Sequence, residues 1–392
     1  VIKDENKLIS RTPEKFRESG VNVLLGRKVE SVDQGDRKVR LSNGSIIPYD
    51  ILMLATGTVA VIPNIPGAGL NGVFALKNLE NAIRIKSYLG EKHCRRAIIV
   101  GAGFIGLEMC ESFRALGMEV TAMELLPRPA VRWDSEFSQL MVEVMEKNQV
   151  TFLPETQIQS IEPGKDHYLH VATNRGDMEC DIILLALGVR PEVTLARQMG
   201  IRIGESGAIA VNASQETSLK GVYAAGDCCE SFHRISRRWV HMPLGDVANK
   251  QGRITGGNMG GHARIFPGVI GAQSFKFFEL EVAATGVNEQ EALEAGFQPV
   301  SSLIWGNAVA SSMPEPRKIG LKLVADRATG RLLGAQAIGE MGAVSRVNVL
   351  SAALWAEMSL DDAGYMDLAY SPPYSSAWDV IHIAAQTLKR KM

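Results

Sequence analysis

The chain has 392 residues, enough for two or three domains each with a core of its own. Its 42 Lys and Arg against 43 Asp and Glu leave a net charge of −1, which gives no support for nucleic acid or an anionic membrane as partner. No apolar run approaches the roughly 20 residues that span a bilayer, and no secretory leader is visible, so a cytoplasmic protein is expected. The five cysteines (Cys94, Cys110, Cys180, Cys228, Cys229) form no C-x-x-C pair and fit no zinc spacing, so reduced thiols and no metal are expected. Cys228 and Cys229 are adjacent, but a vicinal disulfide is strained.

In chain order, the first signal is a diverged repeat. Residues 21–33 (VNVLLGRKVESVD) align with 150–162 (VTFLPETQIQSIE), and residues 49–58 (YDILMLATGT) resemble 180–189 (CDIILLALGV). Between the blocks each copy carries a hairpin pattern with a turn, at Ser42-Asn43-Gly44 and at Asn174-Arg175-Gly176. The second copy is preceded by a glycine loop, and an equivalent loop in the first copy would fall before residue 1. The chain, which starts at Val1 with a charged stretch, therefore reads as N-terminally truncated; the alternative is a natural degenerate half.

Residues 97–124 (AIIVGAGFIGLEMCESFRALGMEVTAME) combine a short apolar strand, the pattern G-x-G-x-x-G and a helix ending at Gly117. Gly101 allows the tight turn, Gly103 lets the backbone approach a pyrophosphate, and Gly106 permits close helix–strand packing. The helix that opens at Phe104 and Ile105 offers unpaired N–H groups to phosphate. Its apolar positions are read as Ile105, Met109, Phe113 and Leu116. Glu124, ending the next strand, is placed to accept from a ribose 2′-hydroxyl and to repel a 2′-phosphate, which predicts NADH over NADPH. Arg128 is the one nearby residue that could soften that choice.

On these motifs the chain resembles the pyridine nucleotide–disulfide oxidoreductase superfamily over essentially its whole length. The resemblance implies an α/β fold with two interleaved Rossmann-like dinucleotide-binding domains, for FAD and NAD, followed by an α+β C-terminal dimerisation domain. It divides the chain into 1–80 (first part of the FAD domain, lacking its glycine loop), 81–188 (NAD domain), 189–264 (second part of the FAD domain) and 265–392 (dimerisation). The segments Ala55-Thr56-Gly57 and Ala186-Leu187-Gly188 match the connections between nucleotide domains, the second departing with Leu for Thr. GVYAAGDCC at 221–229 resembles the second FAD motif, so Gly226 and Asp227 are implied to hold the flavin ribityl chain. Without that context, an Asp after a strand is as often a turn residue. The helix sequence 242–261, with Ala248, is implied to pass near the flavin ring, and Val29 to meet its adenine. Gly188 joins the NAD set.

The C-terminal AYSPPYSSAWD (369–379) resembles the branch of NADH oxidases, NADH peroxidases and coenzyme A-disulfide or polysulfide reductases. There a tyrosine in the PPY element reaches the partner subunit's active site. Tyr374 matches it and could donate a proton to a leaving thiolate; a core or interface role is the alternative. His241 and His382 are read as structural or surface residues. No cysteine here matches the branch's redox cysteine. The implied activity is FAD-dependent reduction of a disulfide, coenzyme A-disulfide or polysulfide by NADH in a homodimer. An NADH oxidase or peroxidase and a non-catalytic NAD-binding fragment remain as alternatives. The stretch Val347–Trp355 fits either a dimer surface or an internal helix.

Overall fold

The computed structural model describes residues 4–165 and 168–392. A short helix α1 (Pro13–Glu18) precedes an antiparallel three-stranded sheet of β1 (Val29–Asp33), β2 (Lys38–Leu41) and β3 (Ile46–Pro48). The chain then makes β4 (Leu52–Leu54) and β5 (Thr58–Ala60). It next crosses into a second unit with β6 (Val73–Ala75), α2 (Leu79–Glu91), β7 (Arg96–Val100), α3 (Phe104–Ala115), β8 (Glu119–Met123), α4 (Ser135–Lys147) and β9 (Val150–Leu153). A second antiparallel hairpin sheet follows, of β10 (Ile158–Pro163), β11 (Leu169–Thr173) and β12 (Gly176–Cys180), and β13 (Ile182–Leu185) closes the unit.

Among the described residues β6, β13, β7, β8 and β9 form one parallel sheet in that spatial order. Successive residues of a strand point to opposite faces. Ile99, Val120, Ala122, Ile182 and Leu184 therefore pack on the side of α3 and α4, while Ile98, Val100, Met123, Ile183 and Leu185 pack under β10–β12. A parallel sheet covered on both faces reads as continuous apolar runs, which is why Ile182–Leu185 is buried throughout.

The repeat is real and extends to register. Both hairpin sheets carry an irregularity at the same place, between Val29 and Ser31 in one and between Ile158 and Ser160 in the other. The copies part upstream. Residues 150–153 form β9 against β8, whereas residues 21–24 form no strand and Val21 is exposed. An extended segment needs a neighbouring strand to complete its ladder, and among the described residues no strand pairs with 21–24.

The chain returns to the first unit through β14 (Val189–Pro191), which pairs antiparallel with β5. After α5 (Thr194–Gln198), β15 (Val222–Ala224) pairs parallel with β4. The hairpin β16 (Glu230–His233) and β17 (Arg238–His241) leads to α6 (Gly245–Met259). The C-terminal part holds β18 (Gln273–Phe277), β19 (Leu280–Gly286), α7 (Glu289–Glu294), β20 (Pro299–Asn307), β21 (Lys318–Asp326), β22 (Leu332–Gly339), α8 (Ala343–Trp355), α9 (Leu360–Tyr365) and α10 (Val380–Lys389). Its antiparallel sheet runs β18-β19-β22-β21-β20, with α8 and α10 against it.

One helix face differs from the sequence reading, and a second, left open there, is decided by the structure. In α3 the buried stripe is Gly106, Leu107, Cys110 and Phe113, while Leu116 is 64% exposed. The helix is apolar on much of its circumference, so two stripes a quarter-turn apart fit the pattern equally well. Close packing at Gly106 selects the one through Leu107. The stretch 347–355 is an internal helix: Val347, Leu350, Ala353 and Leu354 belong to the C-terminal core, and Trp355 alone of its large side chains is exposed.

The nucleotide unit is fastened to the C-terminal sheet by both packing and charge. Trp133 meets Phe275 edge-on at 5.2 Å. Lys322, buried on β21, reaches Asp134 at 2.7 Å, Glu136 at 3.3 Å and Glu289 at 3.6 Å. Replacing it by Met would leave three carboxylates facing one another without a cation. Because two of them are partly exposed, water would screen part of the repulsion. Lys322→Met is expected to cost about 1–3 kcal/mol, read as a lower urea midpoint at unchanged slope; an unmoved midpoint would show that the cluster does not hold the two parts together.

Candidate functional site at the junction of the two nucleotide units

At the end of β7 the chain turns sharply at Gly101, whose φ of +103° lies in a region that L side chains rarely adopt. A Cβ on Gly106 would sit 2.0 Å from the Gly101 carbonyl oxygen, so the helix can approach the loop this closely only with glycine there. Gly103 is different. It has an ordinary extended conformation, and a Cβ built on it meets nothing within 4 Å. The space beside it is open to a ligand. Gly103 is also the N-cap of α3 and supplies no side-chain cap, so the first-turn N–H groups at Phe104 and Ile105 are free for an anion.

Glu124 is bound more tightly than the sequence suggests. One carboxylate oxygen accepts from Ala102 N at 2.8 Å and the other from Leu126 N at 3.0 Å. A carboxylate has about four acceptor positions, so two remain for a ribose hydroxyl. Arg128 faces away from this site. Its guanidinium donates to Ser138 Oγ at 3.0 Å, to Val131 O at 3.3 Å and to the Trp133 carbonyl.

The second half of the site comes from the returning chain. Gly226 has φ +83°, and its N–H donates to Gln251 Oε1 on α6 at 2.8 Å. Ala248 of the same helix packs against it, 3.4 Å from where a Cβ would stand. This turn presents Asp227. One of its carboxylate oxygens, Oδ2, lies 3.3 Å from Lys77 Nζ and 3.5 Å from Thr58 Oγ1. Its backbone carbonyl accepts from His241 Nε2 at 2.8 Å. His241 thus belongs to the site as a brace, a role no local pattern reveals. Lys77 and Gln251 were likewise invisible in the sequence.

A cleft of about 720 Å³ brings the two halves together. It is lined by Lys77, Phe104, Ile105 and Gly188 from the second unit and by Asp227, His241 and Leu244 from the returning chain. Arg132 and His233 form part of its wall. Burial drives the His233 pKa down to about 4, with the nearby Arg132 acting in the same direction, so the imidazole is neutral at pH 7. A separate crevice of about 610 Å³ groups Val29, Ala55 and Thr56.

Tyr374 is not in this cleft. It is 74% exposed on the C-terminal part. Its loop is held by the buried Arg346, which donates to the Tyr374 carbonyl at 3.0 Å and to Asp379 at 2.8 Å. Trp378, Tyr370 and Tyr365 are also exposed. His382 accepts from Asp379 N and contacts the Met366 carbonyl, so it is a structural residue as read. None of the five cysteines lines the cleft. Burial pushes the Cys110 and Cys180 thiols up to about 12 and Cys94 to about 11. Cys228 is pulled down to about 6, chiefly by the hydrogen bond of Cys229, but both thiols of that pair are buried.

The residues present fit two dinucleotides. The open cradle at Gly103 and the uncapped α3 suit a pyrophosphate, and Asp227 Oδ1, which has no hydrogen-bond partner among the described residues, suits a polyol hydroxyl. Fold and site define a flavin-dependent NAD(P)H oxidoreductase. The comparisons agree: residues 3–252 match the pyridine nucleotide-disulphide oxidoreductase model, and residues 272–380 match its dimerisation domain. The chain is 37% identical to the NAD(P)H sulfur oxidoreductase (CoA-dependent) of Pyrococcus abyssi, over 99% of this chain and 87% of that protein. It is 30% identical to an NADH oxidase of Methanocaldococcus jannaschii, over 100% of this chain and 88% of that one. Among solved structures it resembles an NAD-dependent persulfide reductase from A. fulgidus, with TM-score 0.93 and 34% identity over 97% of this chain and 71% of that chain. The chain belongs to the pyridine nucleotide-disulphide oxidoreductase family, whose members use FAD and NAD(P)H.

Gly103 gives a sharp test of the cradle. Gly103→Val puts its side chain into open space, so the melting temperature is expected to stay within about 2 °C of the parent's. NADH affinity, followed by fluorescence titration, is expected to fall at least about tenfold. A variant that still binds NADH normally would place the pyrophosphate elsewhere.

Proposed function

We propose that this chain forms the greater part of an NADH-dependent flavoenzyme that reduces a disulfide, coenzyme A-disulfide or polysulfide. The observation that carries this is the single cleft shared by the α3 N-terminus and the Asp227 carboxylate. A nicotinamide dinucleotide laid along the first and a flavin held by the second would meet there. When bound, the flavin would supply the hydride and electron chemistry between the nicotinamide and the acceptor. The chain's own groups position the two and exclude water. The α3 N-terminus with Gly101, Gly103, Phe104, Ile105 and Gly106 holds the pyrophosphate. Gly188 borders the nicotinamide. Gly226, Asp227 and Ala248 hold the ribityl chain and flanking ring, and Val29, Ala55, Thr56 and Gly57 lie toward the adenine.

The names of the Pyrococcus abyssi and A. fulgidus proteins support a sulfur acceptor, while that of the Methanocaldococcus jannaschii protein keeps the NADH oxidase reading as the alternative. Reducing a sulfur acceptor needs a thiol at the cleft, and none of the five cysteines lines it; in this reading the redox cysteine is not among them. Tyr374 is the proposed proton donor, acting across a homodimer built through 265–392. Its exposure on a fixed loop supports a role on a partner rather than in its own cleft. In this reading the FAD domain comprises 1–60 and 189–264 and the NAD domain 61–188, the boundary falling earlier than residue 80 because β6 pairs with β13 in the second unit's sheet, and the protein is cytoplasmic; no helix among the described residues is long and apolar enough to cross a membrane. NADH is preferred to NADPH, because Glu124 repels a 2′-phosphate and Arg128 is engaged elsewhere.

The deciding experiment is an anaerobic NADH titration followed by product analysis. Flavin absorption is expected to bleach with NADH and to recover on adding coenzyme A-disulfide or polysulfide, with thiol or sulfide formed. Recovery only with oxygen, giving water or peroxide, would identify an NADH oxidase instead; no flavin would leave a nucleotide-binding fragment. Glu124→Ala is expected to raise KM for NADH about tenfold while leaving that for NADPH less affected, so the NADH/NADPH ratio of kcat/KM falls. An unchanged ratio would remove Glu124 from the discrimination.

A further inference from the structure

Lys77 stands in the second unit, between β6 and α2, at the cleft that faces the first. Its backbone is fixed: Lys77 N and Asn78 N both donate to Asn81 Oδ1, at 3.1 and 3.3 Å, and Asn81 N donates back to Asn78 Oδ1 at 2.9 Å. The side chain leaves this capping box and crosses the cleft to Asp227, 150 residues further along, at 3.3 Å. The ammonium and Thr58 converge on the same carboxylate oxygen, Oδ2. Oδ1 is left to the cleft. His241 fixes the main chain of the same residue from a third direction. Asp227 is therefore held at side chain and backbone by groups from three separate segments, and Lys77 supplies the ion pair.

We infer that Lys77 is a positioning residue for the flavin site: its ion pair orients Asp227 so that Oδ1 faces the cofactor, and its charge favours electron uptake there. This rests on the proposed role of Asp227 in holding FAD. With side chains only 30% and 17% exposed, the pair is partly shielded from water, so its field reaches the cleft better than that of a surface pair. Reduction adds negative charge to whatever accepts electrons in the cleft. A fixed cation on the cleft wall stabilises that charge, while an unpaired Asp227 would oppose it. Lys77 also lines the cleft together with Phe104 and Ile105, on the side where the nicotinamide dinucleotide enters.

The test compares Lys77→Met and Lys77→Arg with the parent holoprotein. Free flavin in ultrafiltrates gives the FAD Kd, and a dye-coupled reductive titration gives the midpoint potential. Lys77→Met is expected to weaken FAD binding about tenfold and to lower the potential, and Lys77→Arg to restore both in large part. Parent-like Kd and potential in Lys77→Met would overturn the inference. So would a loss that Arg does not rescue and that tracks a lower melting temperature of the flavin-free protein, because Lys77 would then be only a brace between segments. A parent protein without flavin would overturn the reading of Asp227, and this inference with it; a yellow parent isolates the role of Lys77.

Discussion

The site exists because two short strands, far apart in sequence, lie antiparallel. Thr58–Ala60 leads out of the first nucleotide unit and Val189–Pro191 leads back into it, with Ala60 opposite Val189 and Thr58 opposite Pro191. The crossing is reinforced at its ends: Val61 N donates to Gly188 O at 3.0 Å, Glu192 N to Gly57 O at 2.9 Å, and Thr56 Oγ1 to Glu192 O at 2.5 Å. Everything between the two strands is therefore inserted as one body on a two-stranded stalk. Across that stalk the α3 N-terminus and Asp227 line one cleft.

Charge and packing then restrict what the stalk alone would leave loose. Lys77 ties the inserted unit to the Asp227 turn, and Lys322 with Trp133 ties it to the C-terminal sheet. Neither involves the glycine loop, whose backbone stays open to its ligand.

Features set by neighbours in sequence were legible from the start. The glycine loop, the turn at Gly44 and its counterpart at Gly176, and the strand ending at Glu124 follow from local conformational preference. The repeat was legible because both hairpin sheets bury the same alternation. What escaped depends on distance along the chain. Lys77 and Asp227 are 150 positions apart, His241 meets a backbone atom that carries no sequence signature, and Arg128 is engaged by Ser138 and by carbonyls of its own loop. The face of α3 was misread for another reason: its apolar residues are too evenly spread for periodicity to choose, and the choice falls to the tight contact at Gly106.

Arg346 illustrates a division of labour between backbone and side chain. It is buried, and it grips the Ala308 carbonyl, the Tyr374 carbonyl and Asp379, which itself takes a hydrogen bond from Ser375 Oγ at 2.7 Å. The main chain beneath the exposed rings of Tyr374 and Trp378 is thus immobilised from within, by bonds that no visiting surface touches. A loop ordered in advance loses little conformational entropy when its rings are covered. Its encounters then resemble those of rigid shapes, limited by orientation rather than by folding, and the lifetime of any contact is decided by how well the rings are received.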